Sequence, residues 1–317
     1  GSEMCIRDSR NTWEHKKWNI TDFPEFELAI TIDRPELYYD FLQKDWTRFC
    51  HDYWKNNFLE HHTLSQKRVT RIYIGNQFCH NLFPRKELLF QVLEKALENN
   101  LAVTLAFSYI RNHLLEEIDE LLQELEVWCQ SREKEAGKDQ EEIIVNDWAM
   151  PILLQGKPHL KPVLGVLLNK RRKDVRLPYK HGIGNHVDSL AENNLNCGFY
   201  QDYLKNTFDI QRFEFESCGY KVTIPDGHHS LHLPFFQTNT SQYCTLYAVC
   251  RYGDRGKQKL PENCPRYCNK KVFLYPKHLK MVGRYNSLFG YDEKILWDEK
   301  QLQLSLIHIS EPTRLAL

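Results

Sequence analysis

Five cysteines have the residue type and spacing to bind a metal. Four lie in one segment near the end of the chain, separated in turn by five, thirteen and three residues, and the fifth closes the apolar run RIYIGNQFC; they are Cys244, Cys250, Cys264, Cys268 and Cys79. Clustered thiols serve either as metal ligands or as disulfides, and a chain without a recognisable export signal favours the metal. We therefore predict a metal site on these residues.

The spacing also bears on which metal these cysteines would bind. Four thiolates suit either a structural zinc or an iron–sulfur cluster. Zinc sites typically use tight C-x-x-C pairs, and the 244–268 segment contains none. The spacing therefore favours a 4Fe-4S cluster, with zinc as the alternative. We expect the other cysteines of the central chain to be plain buried thiols; they are Cys50, Cys129, Cys197 and Cys218.

Polar residues follow two of the apolar runs that read as strands. One pair follows EEIIV and four more follow LKPVLGVLL, giving the substrate-binding candidates Asn146, Asp147, Asn169, Lys170, Arg171 and Arg172. The carboxyl ends of parallel strands carry the chemistry in a (β/α) barrel. Arginines there would clamp a carboxylate or phosphate of a small-molecule substrate, and a solvated loop is the alternative. For the aspartate, capping of the following short helix is an equally good role.

Other catalytic patterns are weak. His228, His229 and His232 could bind a metal, but the last two would point to opposite faces of a strand. The chain contains neither G-x-S-x-G nor HExxH. A hydrolase would need such a nucleophile or a metal-activated water.

Composition excludes some classes of partner. The 317 residues contain 42 Lys and Arg against 42 Asp and Glu, so the bulk charge indicates neither nucleic-acid nor membrane-surface binding. No apolar run approaches the roughly 20 residues of a membrane span. We therefore expect a cytoplasmic protein. Residues 1–9 and 304–317 resemble a cloning scar and translated sequencing adapters, and they are left out of the predicted fold.

The elements that must position these residues alternate in type. An aromatic-rich extension, residues 10–66, contains a strand at 27–32 and one helix over about 34–62. Strands and helices then alternate through a domain at 67–303, as crossovers between parallel strands require. This predicts an α/β fold, a TIM-like (β/α) barrel that is complete or incomplete. An open doubly wound sheet is less favoured, because no glycine-rich phosphate loop follows the first strand.

Several segments together resemble a known family. RIYIGNQFC, IIVNDWAMPILL, LKPVLGVLLNKRRKDVR, LHLPFFQTNTSQYC and CPRYC resemble the collagenase-like peptidase U family, number thirty-two. Within it they are most similar to the branch of oxygen-independent ubiquinone-hydroxylation proteins. The resemblance covers about residues 69–290 and leaves the 10–66 extension outside it.

The resemblance implies a TIM-like barrel with a 4Fe-4S cluster on four cysteines. One ligand follows the first strand, as Cys79 does, and a C-x3-C pair corresponds to Cys264 and Cys268. The fourth is Cys244 in preference to Cys250. The implied function is oxygen-independent hydroxylation of a small aromatic or nucleobase-type substrate, with a paired homologous subunit. A peptidase, as the family name suggests, and a non-catalytic subunit with a structural metal are the alternatives.

Overall fold

The computed structural model describes residues 25–136, 141–176, 191–220, 222–261, 263–279, 281–292, 294–297 and 313–316. Its larger sheet has eight strands, all parallel to their neighbours. They are β1 (Phe26–Ile32), β2 (Val69–Gly75), β3 (Ala102–Ala106), β4 (Glu141–Val145), β5 (Leu160–Leu164), β6 (Glu214–Glu216), β7 (Ser230–His232) and β12 (Thr313–Ala316).

Helices lie between most successive strands of this sheet, although the described residues between β6 and β7 include none, and the predicted α/β class is confirmed. In chain order they are α1 (Pro35–Gln43), α2 (Trp46–Asn56), α3 (Lys86–Glu98), α4 (Leu115–Ala136), α5 (Met150–Leu153), α6 (Gly198–Phe208) and α7 (Thr245–Tyr252). The single helix expected over 34–62 is two helices. Asp45 is the N-cap of α2, where its carboxylate accepts a hydrogen bond from Arg48 N, so a second helix begins there. None of the described helices is long and apolar enough to cross a membrane.

The sheet is buried on both faces, which explains its continuous apolar strands. In β1, Leu28, Ile30 and Ile32 belong to the main core, where the helices also pack. Ala29 points the other way and packs with Tyr73 and apolar residues of β3, β4 and β5. Strands β1 to β5 therefore contribute residues of opposite faces to two separate cores.

The sheet also curls, because its distant strands touch. The strand order is β5-β4-β3-β2-β1-β12-β7-β6. Yet the hydroxyl of Tyr73 in β2 lies 3.0 Å from Glu214 Oε1 in β6 and 2.9 Å from Ser230 Oγ in β7. One parallel bridge, between Leu164 and Phe213, joins the two ends of the strand order.

The sheet extends beyond the predicted domain boundaries. β1 lies within the predicted extension at 10–66 and pairs with β2 along its length. β12 lies within the segment 304–317, which the predicted fold leaves out, and pairs with β1 and β7. Residues 1–9 lie outside the described part of the chain.

A second sheet was not predicted from the sequence. The run HSLHLPFF, expected to form one strand, divides into β7 and β8 (Phe235–Thr240), which belong to different sheets. β8 pairs with β11 (Ser287–Tyr291), followed by β10 (Val282–Arg284) and β9 (Phe273–Leu274), all antiparallel. The cysteine segment is inserted between β8 and β9, so this sheet positions it.

Candidate metal centre and adjoining cavity

Four of the five predicted metal ligands line one small cavity of about 20 Å³; they are Cys79, Cys244, Cys264 and Cys268. They reach it from three separate segments: the loop after β2, the residue before α7, and the loop and short 3-10 helix (Tyr267–Asn269) that precede β9. Leu82, Leu246 and Tyr285 complete an apolar wall. The structure therefore brings together the cysteine after the first sequence-predicted strand and the C-x3-C pair.

The loop that carries Cys79 is held by one side chain. Asn76 Oδ1 accepts bonds from Phe78 N and Cys79 N, both at 2.9 Å. The preceding Gly75 has φ +111°, and a Cβ there would lie 2.5 Å from Ala106 O. Only glycine therefore allows the chain to leave β2 this close to β3.

Cys244 is fixed by the helix that follows it. Its Sγ accepts a bond from Tyr247 N at 3.3 Å and donates to Tyr285 O at 3.2 Å. The sulfur thus occupies the N-cap position of α7. A backbone N–H directed at sulfur favours the thiolate form at this position.

The buried thiols resist losing their protons together. The pKa of Cys79 is raised to about 12, mainly by burial and in smaller part by the neighbouring thiols of Cys244, Cys264 and Cys268. Burial likewise raises the pKa of Cys268 to about 12 and also raises that of Cys244. Four thiolates in this cavity therefore require a positive charge among them, which a bound metal supplies.

The four thiols line one cavity without being arranged around a single metal ion. Within the described part of the chain, no group of three or more His, Cys, Asp or Glu side chains is arranged to hold a metal ion. A tetrahedral zinc needs four sulfurs, each about 2.3 Å from one centre. A four-iron cluster instead takes its four thiolates at separate iron atoms, so it tolerates a wider arrangement.

Cys250 does not line the cavity. It lies within α7 and packs, half-buried, against the same apolar cluster as Cys79 and Cys244. Of the cysteines expected to be plain buried thiols, Cys129 and Cys218 are buried and Cys50 is half-buried. The expectation is wrong for Cys197, which is exposed because it precedes α6 in a surface loop.

A larger cavity of about 570 Å³ lies at the carboxyl ends of β4 and β5. Five of the six predicted substrate-binding residues line it, namely Asn146, Asp147, Asn169, Lys170 and Arg171, and Arg172 is not among its lining residues. Lys173 also lines it, and it belongs to the basic run 170–176 that the sequence predicts to hold an acidic group; Gln237 and Thr240 line it as well and are not predicted binding residues. Position 173 lies in the basic run that follows β5, so a signal for it was present.

Two of the lining residues hold the walls in place. Asn146 Nδ2 donates to Phe107 O at 2.7 Å, and its Oδ1 accepts from Leu167 N at 3.2 Å. Asp147 Oδ1 accepts from Ala149 N and Met150 N at 2.9 and 3.1 Å, and Oδ2 accepts from Ile110 N. Asp147 therefore binds backbone N–H groups at the start of α5, although Ala149 holds the N-cap position of this helix.

The cavity wall carries an ion pair. Lys173 Nζ contacts Glu216 Oε2, and the two side chains are only 9% and 4% exposed. Glu216 Oε1 also accepts a bond from Gln237 N at 2.8 Å. Arg171 has no carboxylate partner in the described residues; it donates to Glu216 O at 3.0 Å and contacts Cys218 Sγ.

One buried acceptor in this wall lacks a partner. Asn169 Nδ2 donates to Glu214 O at 3.1 Å, which fixes the orientation of the amide. Its Oδ1 is buried and has no hydrogen-bond partner among the described residues, although Asn169 lines the cavity. Because an unpaired buried acceptor is costly, this cavity suits a ligand that offers an N–H or O–H group. The nearby cations Lys170 and Arg171 suit an acidic group on the same ligand.

One loop connects the two cavities. Ser241 and Gln242 line the larger cavity, and Cys244 lines the cysteine cavity two residues later. The Tyr109 hydroxyl donates to Ser241 O at 3.3 Å and to Gln242 O at 3.2 Å. A ligand in the larger cavity would therefore lie beside the segment that carries Cys244.

The three histidines do not form a site. Phe213 N donates to His229 Nδ1 at 3.2 Å, and His229 Nε2 lies 3.3 Å from Asp226 O, to which it donates. Burial lowers the pKa of His229 to about 4. His232 Nε2 contacts Glu214 Oε2 instead. Both ring nitrogens of His229 are therefore engaged with the backbone.

Comparison with known proteins adds no family. The chain matches no family model, and a search of curated proteins found no match. The resemblance to the peptidase U family therefore stays a prediction.

Proposed function

We propose that this chain is an iron–sulfur protein of oxygen-independent redox chemistry, in which Cys79, Cys244, Cys264 and Cys268 hold a 4Fe-4S cluster. The observation that carries the proposal is the meeting of these four thiols, from three separate segments, at one cavity. Four cysteine thiolates are the usual ligand set of such a cluster. The cavity that they line is small, about 20 Å³.

A closed (β/α) barrel is part of the proposal. The bridge between Leu164 and Phe213 and the contact of Tyr73 with Glu214 support closure of the parallel sheet on itself. In such a barrel both cavities lie at the carboxyl ends of the strands, where catalytic residues gather. This is the arrangement that the resemblance to the peptidase U family implies.

The proposed substrate site is the larger cavity. When bound beside it, the cluster would supply one-electron transfer or a site for a substrate atom. The chain's own residues bind and orient: Lys170 and Arg171 attract an acidic group, and Asn169 Oδ1 accepts an N–H or O–H. Trp148, which is 41% exposed, offers an aromatic face at the same cavity. These groups suit hydroxylation of a small aromatic or nucleobase-type molecule.

A cytoplasmic location and a paired homologous subunit complete the proposal. A reducing compartment keeps cysteines free, and all nine described cysteines are free thiols. The paired subunit follows from the family resemblance alone.

Metal analysis after anaerobic purification tests the cluster. We expect about four iron and four sulfide per chain and a brown protein. The variants Cys79→Ser and Cys264→Ser should each lose most of the iron. Cys250→Ser is the matched control, because this thiol packs nearby without lining the cavity.

Two results would reject the proposal. A colourless protein that contains one zinc per chain would identify a structural site instead. Iron that disappears equally in Cys250→Ser would show that the cavity does not define the ligand set.

A further inference from the structure

The cysteine segment is strongly basic although the whole chain is neutral. Residues 243–284, here called the basic segment, contain ten Lys and Arg against two Asp and Glu. The whole chain contains 42 of each kind, which leaves 32 basic and 40 acidic residues elsewhere. Such a separation of charge creates a local positive field, which attracts acidic partners.

The positive charges of the basic segment are free to act on a partner. Its exposed cations are Arg251, Lys257, Lys259, Arg266, Lys270 and Lys271. None of them forms an ion pair with a described carboxylate. The one described acidic side chain of the segment, Asp254, accepts a bond from Gly256 N at 2.8 Å. Local pairing therefore does not cancel this charge.

This surface adjoins the cysteine cavity. Tyr247 and Tyr267 line that cavity, with their ring centroids 6.2 Å apart. Tyr252 packs edge-on against Tyr247, and Lys271 Nζ lies 5.6 Å from the Tyr267 ring. Lys271 thus lies beside the wall of the candidate metal centre. A partner that contacts Lys271 and these tyrosines would lie beside the cysteine cavity.

Exposed apolar side chains accompany the cations. Leu260, Val272 and Leu274 are 47%, 55% and 53% exposed, and Tyr252 and Tyr275 are 41% and 42% exposed. Protein interfaces combine an apolar, tyrosine-rich centre with a polar rim. The basic segment has the residue types of both parts.

The same contacts disfavour a single-stranded nucleic acid. Binding of this kind needs aromatic faces that are open to bases. The Arg255 guanidinium lies 3.2 Å from the centre of the Tyr275 ring, and Lys271 lies over Tyr267. Tyr247 and Tyr267 face each other. Their ring faces are therefore partly occupied, and the aliphatic side chains offer no stacking surface.

We propose that the basic segment is the docking surface for a small acidic electron-carrier protein. The electron-transfer part rests on the cluster of the proposed function, whereas the docking part rests on charge and exposed apolar side chains alone. One electron would leave the reduced centre of the carrier and enter the cluster held by the four thiols. The carrier is oxidised by one electron and the cluster is reduced by one.

The test measures binding of a fluorescently labelled acidic 2Fe-2S ferredoxin to the purified chain. We expect binding that weakens as salt rises from about 50 to about 200 mM, because screening shortens the reach of the charges. The double variant Lys270→Glu/Lys271→Glu should weaken binding by about tenfold or more. Lys205→Glu is the matched control, since Lys205 is exposed on α6, outside the basic segment, and should bind as wild type. If the double variant fails to fold, Arg251→Glu/Lys257→Glu replaces it.

Several outcomes would overturn the docking proposal. These are no binding by the wild-type chain, equal binding by the charge-reversed variant, and displacement of ferredoxin by a single-stranded oligonucleotide that binds more tightly. Iron and sulfide are measured on the same samples. If the chain binds ferredoxin but contains no iron, the docking surface is supported and the cluster is rejected. If the chain contains iron but does not bind ferredoxin, only the docking proposal is rejected.

Discussion

The ion pair between Lys173 and Glu216 gives the sharpest quantitative prediction. The change is Lys173→Met, which keeps most of the side-chain length and removes the charge. Glu216 is 4% exposed, so its carboxylate would then be buried with only Gln237 N as a described hydrogen-bond partner. Breaking a buried pair by removing one member costs about 3–5 kcal/mol, because the remaining charge is desolvated and unpaired.

The double variant Lys173→Met/Glu216→Gln should recover most of that loss. Glutamine can still accept the bond from Gln237 N, and no uncompensated charge remains. Replacing a whole buried pair by neutral groups is often close to neutral in stability. We therefore expect the free energy of unfolding of the double variant to lie within about 1 kcal/mol of the wild-type value, although each single variant is far less stable.

Urea unfolding of the four proteins, followed by circular dichroism, measures these free energies. Glu216→Gln completes the cycle and should also be destabilised, since it leaves Lys173 unpaired at 9% exposure. If the double variant loses the sum of the two single losses, the two groups do not interact. The cation in the cavity wall would then be held by something other than Glu216.

Three further predictions concern single residues. Burial lowers the pKa of His229 from 6.5 to about 4. As the pH falls, the imidazole therefore binds a proton in the unfolded chain before it does so in the folded chain. The free energy of unfolding should therefore fall by about 3 kcal/mol as the pH drops from 6.5 to 4. Urea unfolding measured across this pH range should show a smaller fall for His229→Gln. Asp147→Ala should cost about 2 kcal/mol in urea unfolding, because three backbone N–H groups lose their acceptor. Gly75→Ala should lower both the melting temperature and the iron content more than Gly156→Ala. Both glycines have a positive φ, but only a Cβ at position 75 would meet Ala106 O. Equal losses in the two variants would show that backbone strain alone accounts for the effect.

Strands β1 to β5 could be predicted because burial on both faces gives each a largely apolar run, whereas β12 lies in the segment that the predicted fold leaves out. β2 and β4 are of this kind, and polar residues mark their ends. The second sheet could not be predicted, because β9 and β10 have only two and three residues. The division of HSLHLPFF between two sheets depends on tertiary pairing of β8 with β11, which carries no periodic signal.

The cysteines could be predicted as a group but their ligand set could not. Cys244 and Cys250 are both cysteines of the same segment, but they occupy different positions relative to α7. The first caps the helix at the cavity, and the second lies inside the helix. Likewise, the basic run after β5 was visible, but the pairing of Lys173 with Glu216 joins residues 43 positions apart. Such pairings arise only when the strands have assembled.

A charged cluster of low exposure joins parts of the larger sheet that are far apart in sequence, and this has a consequence for how the chain acquires its fold. Glu142 on β4 meets Arg71 on β2 at 3.3 Å and Arg212, just before β6, at 2.8 Å, across 71 and 70 residues of sequence. A nascent chain that ends before residue 212 would hold Glu142 with only one of these two guanidinium groups. The charge of Glu142 is thus neutralised fully only when the later part of the sheet has formed. We therefore expect slow, concerted folding and little tolerance for truncation within the sheet.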